Sequence, residues 1–436
     1  MWSTHSTMNR GEVIVRRSSF FLMRISFFWF GLSFLWGGLN IQLLPTRIPE
    51  LVNHDVKGIA IGAVVFVGLL VAIIVQPVAG AVSDHAHTRW GKRRPFMAAG
   101  MGALIPLLLF VAYAPNYGLL FVAMVLVQVA ANVAHGPFQG VIPDQVPDQQ
   151  RGRASGVFGL ANLLGTLAGA GIAGVWLSMA EENPDTNPFF LAGILSIMAM
   201  LAVTSILSWL CIREEAPGAN PPAFMGIGHE FRRRLLELHH GPAYIWLMLS
   251  RLLFFMGLQA MDNFMQLFLK GSRENGGLIE ADPELKTTVT LGAVLLMAVV
   301  TSVPAGWIAD RHGKLRVIAV AAGLGLASAA MLILAQSYWQ VVVFAAVLGI
   351  GVGLFTAADW AATMDLIPDK RSPGLYMGLS NVATAGGDGL ATLSAGIALD
   401  VFGFRAVFGM MAVFFAASLG ILPVVRSRLA RANSMP

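Results

Sequence analysis

Charge is what this chain has least of. Asp, Glu, Lys and Arg make up 12% of its 436 residues, about half the share of a soluble domain, which is about 25%. So few charges cannot solvate the surface of a compact fold of this length, and a water-soluble enzyme is excluded. A single cysteine, Cys211, excludes a disulfide framework and a thiolate metal cluster. A nucleophile elbow, a His-x-x-Glu-type metal motif on an apolar run and a phosphate-binding loop are also missing. Neither enzyme chemistry nor a cofactor or metal is expected. No cleavable signal pattern precedes Phe20; the polar start with Arg10, Arg16 and Arg17 leads straight into the first apolar run, so insertion is expected to begin there.

What is abundant is apolar: 56% of the residues are hydrophobic. Runs long enough to cross about 30 Å of hydrocarbon fall at 21–44, 58–82, 95–113, 117–139, 154–179 and 187–211. A second set falls at 243–270, 287–309, 317–336, 338–363, 374–399 and 402–424. Backbone groups in lipid need internal partners, so long continuous runs must be helices rather than barrel strands. The expected fold is all-α and polytopic. Its expected divisions are an N-terminal segment 1–20, a six-helix bundle 21–211, a linker 212–242, a second bundle 243–424 and a tail 425–436.

Positive charge orients these spans. With both termini cytoplasmic, 22 of the 29 Lys and Arg lie inside, and Arg47, Lys57, Lys270, Arg273, Lys286 and Arg405 outside. The net charge of +5 is therefore a topology signal at a cell membrane, and no nucleic acid partner is expected. In the linker, Phe224, Ile227, Phe231, Leu235 and Leu238 share one helical face beside Arg232, Arg233 and Arg234. An interfacial helix and a plain solvated linker fit this equally.

The two sets repeat one another. Ala79-Gly80 and Asp84 recur as Ala305-Gly306 and Asp310, and the same offset carries Asn40 onto Gln266 and Arg47 onto Arg273. Pro147-Asp148 recurs as Pro368-Asp369, and Gly159-Leu160-Ala161-Asn162 as Gly378-Leu379-Ser380-Asn381. Parallel six-span repeats are a transporter architecture with the site between the halves.

The segment from Gly80 through Asp84 to Arg89-Trp90-Gly91-Lys92-Arg93-Arg94-Pro95-Phe96 resembles the loop between helices two and three of major facilitator transporters. Gly306 to Lys314, with Asp310 and Arg311, is its shorter copy. The resemblance implies a conformational lock. Asp84 and Asp310 at helix ends would face the N-termini of helices in the opposite half, near Pro373 and Arg151. The longer copy is similar to the glycoside–pentoside–hexuronide cation symporters and to the sucrose/proton symporters. Asn132-Val133-Ala134-His135-Gly136-Pro137-Phe138-Gln139 resembles the Gly-Pro motif of helix four in the latter. The resemblance implies a sugar or glycoside carried with a proton or sodium ion. Two positions depart from it: Gln128 stands where the sucrose symporters have an aspartate, and Gln139 where they have an arginine. Spans two and four hold no acid, unlike the melibiose-type members.

Polar residues in the spans form stripes at helical spacing: Gln128, Asn132, His135 and Gln139; Asn381, Thr384, Asp388 and Thr392; Gln259, Asp262 and Gln266; Ser33, Trp36 and Asn40. Trp36, Asn40, Gln128, Asn132, His135, Gln139, Gln259, Gln266 and Trp360 are the expected substrate-binding set, the tryptophans as stacking surfaces for a sugar ring. The bland reading is that amides and hydroxyls glue helices together, that His135 is neutral and bonded to a carbonyl, and that the tryptophans pack. Ionisable groups at membrane depth mark functional sites, and Asp262, Asp388, Asp359 and Arg251 are the expected coupling set. Asp262 is the expected proton carrier, because a carboxyl in a cavity that opens to each side in turn can load on one side and unload on the other. Arg251, about 16 Å along the helix from Asp262 at 1.5 Å per residue, needs Asp359 or Asp388 as a partner, or a place at the inner interface.

The reading is a secondary transporter, a cation-coupled symporter of a sugar or glycoside. Its rivals are an exporter of amphipathic organic solutes, which the 21 Met and 27 Phe would suit, and a non-transporting receptor or assembly factor of the same fold.

Overall fold

A computed structural model describes residues 19–84, 86, 88–146, 151–181, 186–212, 242–367 and 373–433. Among the described residues every regular element is helical, and twelve helices are long and apolar enough to cross a membrane. Span one runs Ser19–Trp36, continues as a π-helical stretch Gly37–Leu43 and ends as Leu44–Leu51. Spans two to six are Lys57–Asp84, Arg94–Ala112, Tyr117–Gln145, Arg151–Glu181 and Thr186–Cys211. Span seven comprises Pro242–Asp262 and Met265–Lys270; spans eight to twelve are Pro283–His312, Lys314–Ile333, Tyr338–Leu366, Pro373–Phe402 and Phe404–Asn433. Only 28–56% of each span's apolar window is buried by protein. The remainder, with side chains such as Ile74, Leu126, Val203, Leu296 and Val343 exposed, needs hydrocarbon around it. The chain is a multi-pass membrane protein. The expected interfacial segment at 212–242 falls largely outside the described residues.

Packing repeats as the sequence does. Span one packs on five and six as seven packs on eleven and twelve. Two packs on four as eight packs on ten, and three packs on four and six as nine packs on ten and twelve. Without a hydrophobic force between helices in lipid, close approach supplies the adhesion. Gly37 and Gly169 show it: a Cβ on either would lie 2.1 Å from a carbonyl oxygen, of Thr166 and Phe34 respectively. Each half also has its own aromatic centre, Phe28 against Phe138 at 4.5 Å and Phe254 stacked on Phe355 at 3.7 Å. The halves meet along spans two with eleven and five with eight.

Spans one and seven depart from the continuous helices expected of them, and at equivalent places under the repeat. In span one, Pro45 has no N–H to give its ladder, and the preceding turn widens so that Leu44 N–H bonds the Leu39 carbonyl, five residues back. In span seven the ladder tightens at Asn263 and Phe264, where Phe264 N–H bonds the Met261 carbonyl at 3.3 Å, and restarts at Met265.

Candidate functional site

The face that carries Ser19 and Asn433 is called here the termini face, and its opposite the far face. On the far face the two halves are in direct contact. Asp400, near the end of span eleven, accepts from the backbone N–H groups of Gly58 (2.9 Å) and Ile59 (2.7 Å) at the start of span two. A carboxylate there neutralises the positive end of the helix dipole. A Cβ on Gly396 would lie 2.1 Å from the Gly58 carbonyl oxygen, so only glycine permits this approach. At the second seam Gln42 Nε2 donates to the Glu284 carbonyl (2.9 Å) and to Thr288 Oγ1 (3.1 Å). Gln266 Nε2 donates to Thr46 Oγ1 (2.8 Å) and Glu284 Oε1 (3.1 Å).

Deeper in the second half lies a carboxylate cluster at the break in span seven. Asn263 Nδ2 donates to Asp388 Oδ1 (3.0 Å) and Thr392 Oγ1 (2.7 Å). Gln259 also bonds Asp388, and Asp262 stands within electrostatic reach of it. Asp262 Oδ1 is buried and has no hydrogen-bond partner. Asp262 ends the first segment of span seven and Asn263 follows it at the break, and both stand near Asp388 of span eleven.

Arg251 takes Asp359 as its partner, in a direct ion pair between side chains 5% and 2% exposed. Its Nε donates to Thr384 Oγ1 at 3.1 Å, and its guanidinium lies 5.6 Å from the Phe255 ring centre. Spans seven, ten and eleven are thereby tied by one charged network. Asp359 is a buried ion-pair partner rather than a solvated helix end.

In the first half the span-four stripe turns largely into its own bundle. Asn132 is 5% exposed and donates to the carbonyl of Gln128 (2.8 Å) and to its Oε1 (3.2 Å). Gln128 in turn fills the place that a side chain on Gly68 of span two would occupy. His135 Nδ1 is 3.3 Å from Gln76 Nε2, and its ring stands edge-on to Trp29 at 4.7 Å. In this conformation the three residues hold spans one, two and four together, so the expected open face is not what they present; the reason is the small Gly68 opposite. Trp36, Asn40, Gln139 and Gln259 are half-buried, and Trp360 is 41% exposed.

The two sequence motifs turn out to touch. Arg93, 6% exposed, donates from Nη1 to the Pro137 carbonyl at 3.1 Å. This joins the basic loop to the Gly-Pro pair within the helix of span four. Gly91 takes φ +95°, a region that favours glycine. Arg94 lies 3.9 Å from the Trp209 ring centre, and Arg89 stacks on Trp90. Gly80 packs on Gly136, whereas Gly306, Asp310 and Arg311 have open or exposed surroundings. The Asp84 carboxylate and the surroundings of Arg151 and Pro373 lie outside the described residues.

Sequence reasoning passed over Gln42, Glu284, Asn263 and Asp400. Glu284 and Asp400 lay near span ends and counted as solvated charges, yet Glu284 is 2% exposed. The available signal was an acidic residue directly after the helix-starting Pro283, one turn before Thr287 and Thr288.

A family model described as MFS/sugar transport protein, the abbreviation standing for major facilitator superfamily, matches residues 54–420. An uncharacterized symporter of Synechocystis sp. is 27% identical over 42% of this chain and 35% of its own length. A general alpha-glucoside permease of Schizosaccharomyces pombe is 31% identical over 23% of this chain and 22% of its own. A sucrose transport protein of Arabidopsis thaliana is 32% identical over 23% and 24%. The chain thus spans about a third or less of these curated relatives. Among solved structures, a point mutant of the nucleoside transporter NupG superposes with a TM-score of 0.69 at 13% identity, over 93% of this chain and 99% of that one.

Proposed function

From the premise that this chain belongs to the MFS/sugar transport protein family, whose members are transporters and not enzymes, we propose that it is a proton-coupled symporter of a sugar or glycoside. It works by alternating access in the cell membrane, with both termini cytoplasmic. The observation that carries the coupling is Asp262, whose buried Oδ1 has no partner beside the occupied carboxylate of Asp388 at the break in span seven. A proton taken up there changes the charge of a two-carboxylate cluster, and with it the relative energy of the two access states. With the far face closed by Asp400 and by the Gln42–Glu284 seam, the substrate enters or leaves from the termini face. Asn40 and Gln259, half-buried on the two inner spans, supply amide groups for sugar hydroxyls. The Arg251–Asp359 pair holds the second half rigid behind them.

Uptake of a radiolabelled disaccharide into proteoliposomes, with and without an imposed pH gradient, tests this. Accumulation above equilibrium under an inward proton gradient is expected. Asp262→Asn should abolish accumulation while preserving exchange of labelled for unlabelled sugar across the membrane. No gradient-driven accumulation for any disaccharide or glycoside tried would remove the symport reading. Accumulation that survives Asp262→Asn would move the coupling role to Asp388.

A further inference from the structure

The far-face seam holds more acceptors than donors. Gln42, Gln266 and Glu284 are 0%, 2% and 2% exposed. The amide nitrogens of both glutamines are assigned by the acceptors that they meet: the Glu284 carbonyl for Gln42, and Glu284 Oε1 for Gln266. That leaves Gln42 Oε1, Gln266 Oε1 and Glu284 Oε2 buried, each without a hydrogen-bond partner. Buried acceptors are ordinarily satisfied, and a buried carboxylate ordinarily has a cation beside it. Among the cations near these residues in sequence, Lys286 pairs with Glu280 and Arg47 Nη1 with Glu50, both at 2.7 Å, Lys270 is exposed, and Arg47 Nε is a single buried donor without a partner.

We propose that Gln42, Gln266 and Glu284 form a sodium site that latches the far face shut. Three oxygens of a hard, neutral-plus-carboxylate set suit a cation that takes oxygen ligands. One formal charge matches a monovalent ion, whereas a divalent ion would leave a net charge buried in the membrane. A proton on Glu284 would supply one donor, serving its own oxygen and one amide oxygen, and would leave the third acceptor unpaired. A sodium ion seated between them would take a lone pair from each of the three.

The ligands come from both halves: Gln42 from span one, Gln266 and Glu284 from spans seven and eight. The site therefore exists only while the far face is closed, and whatever binds it favours that state. Gln42 and Gln266 also sit at the two equivalent interruptions, the π-helical stretch of span one and the second segment of span seven. Irregular backbone at membrane depth is where transporters place ions. The conformational consequence rests on the alternating-access reading; the ion binding does not.

The test uses the purified full-length protein in neutral detergent at one pH and one ionic strength, with choline chloride replaced stepwise by NaCl or KCl. A saturating rise in Tm with sodium, and none with choline, is expected. The rise should vanish in Glu284→Gln, and Gln42→Leu should weaken it at least tenfold in apparent affinity. Absence of a sodium-specific rise in the unmodified protein overturns the site, as does a rise that persists undiminished in Glu284→Gln. A second series run across pH in choline chloride separates a proton: a stabilisation of the unmodified protein that follows pH, with none from sodium, assigns the position to a proton and overturns the site too. If Glu284→Gln does not fold, Gln42→Leu carries the comparison. No substrate or gradient enters this measurement, so its failure leaves the symport reading standing, and failed uptake in sodium-free buffer leaves the site standing.

Discussion

Replacing Asp400 by alanine should open the far face without unfolding either half. The carboxylate accepts two backbone N–H groups, from Gly58 and Ile59, and both belong to the opposite half. Loss of an N-terminal capping acceptor costs about 0.5–2 kcal/mol, and loss of the charge at the helix end about 0.3–1 kcal/mol more. Asp400 is half-buried, so screening trims the second figure. A net cost of about 1–2 kcal/mol, confined to the closed state, corresponds to about a 5- to 30-fold change in the closed-to-open ratio. Spin labels at Val56→Cys and Val401→Cys, exposed positions on opposite halves, read this directly by pulsed dipolar spectroscopy in a Cys211→Ser background. Asp400→Ala should move population to longer distances. Asp400→Asn should move it less, because an asparagine oxygen still caps a helix. An unchanged distance distribution in Asp400→Ala would refute a latch at this contact.

A side chain at Gly396 should do the same by force, since a Cβ there would lie 2.1 Å from the Gly58 carbonyl. Gly396→Val is expected to abolish closure and uptake while leaving expression intact, as the same labels and a transport assay would show. Asp359→Asn strands Arg251 without its anion in a buried pair, and should lower stability by about 3–5 kcal/mol. Adding Arg251→Met should recover much of that, because no uncompensated charge then remains buried; thermal unfolding in detergent compares the two. Arg93→Ala removes a charged donor from the Pro137 carbonyl at a cost of about 1.5–3 kcal/mol. Faster proteolysis between spans two and three checks it.

Hydrophobic length alone made the twelve spans legible, because a helix is the one solution for a long apolar run in lipid. The need of Arg251 for an acidic partner was equally plain from its depth, and Asp359 was one of the two acids within reach. The span-four stripe was visible as a stripe, but not its direction. Helical spacing says which residues share a face, and only the neighbour decides whether that face meets a cavity or, as with Gln128 opposite Gly68, another helix. Glu284 and Asp400 escaped because a charge near a span end is compatible with water, and burial there depends on the other half closing over it.

The sequence by itself determined that this chain lives in a membrane, that it is built as a repeat, and that its intramembrane acids gather in the second half. All three follow from composition and spacing, which need no knowledge of neighbours. Only the tertiary structure decided which groups meet across the repeat. The Asp400 cap on span two, the Gln42–Glu284 bond and the pairing of Arg251 with Asp359 join residues 108 to 342 positions apart. Contacts at that separation are set by how helices pack and where their ladders break at Pro45 and Asn263, not by any local preference of the residues that make them.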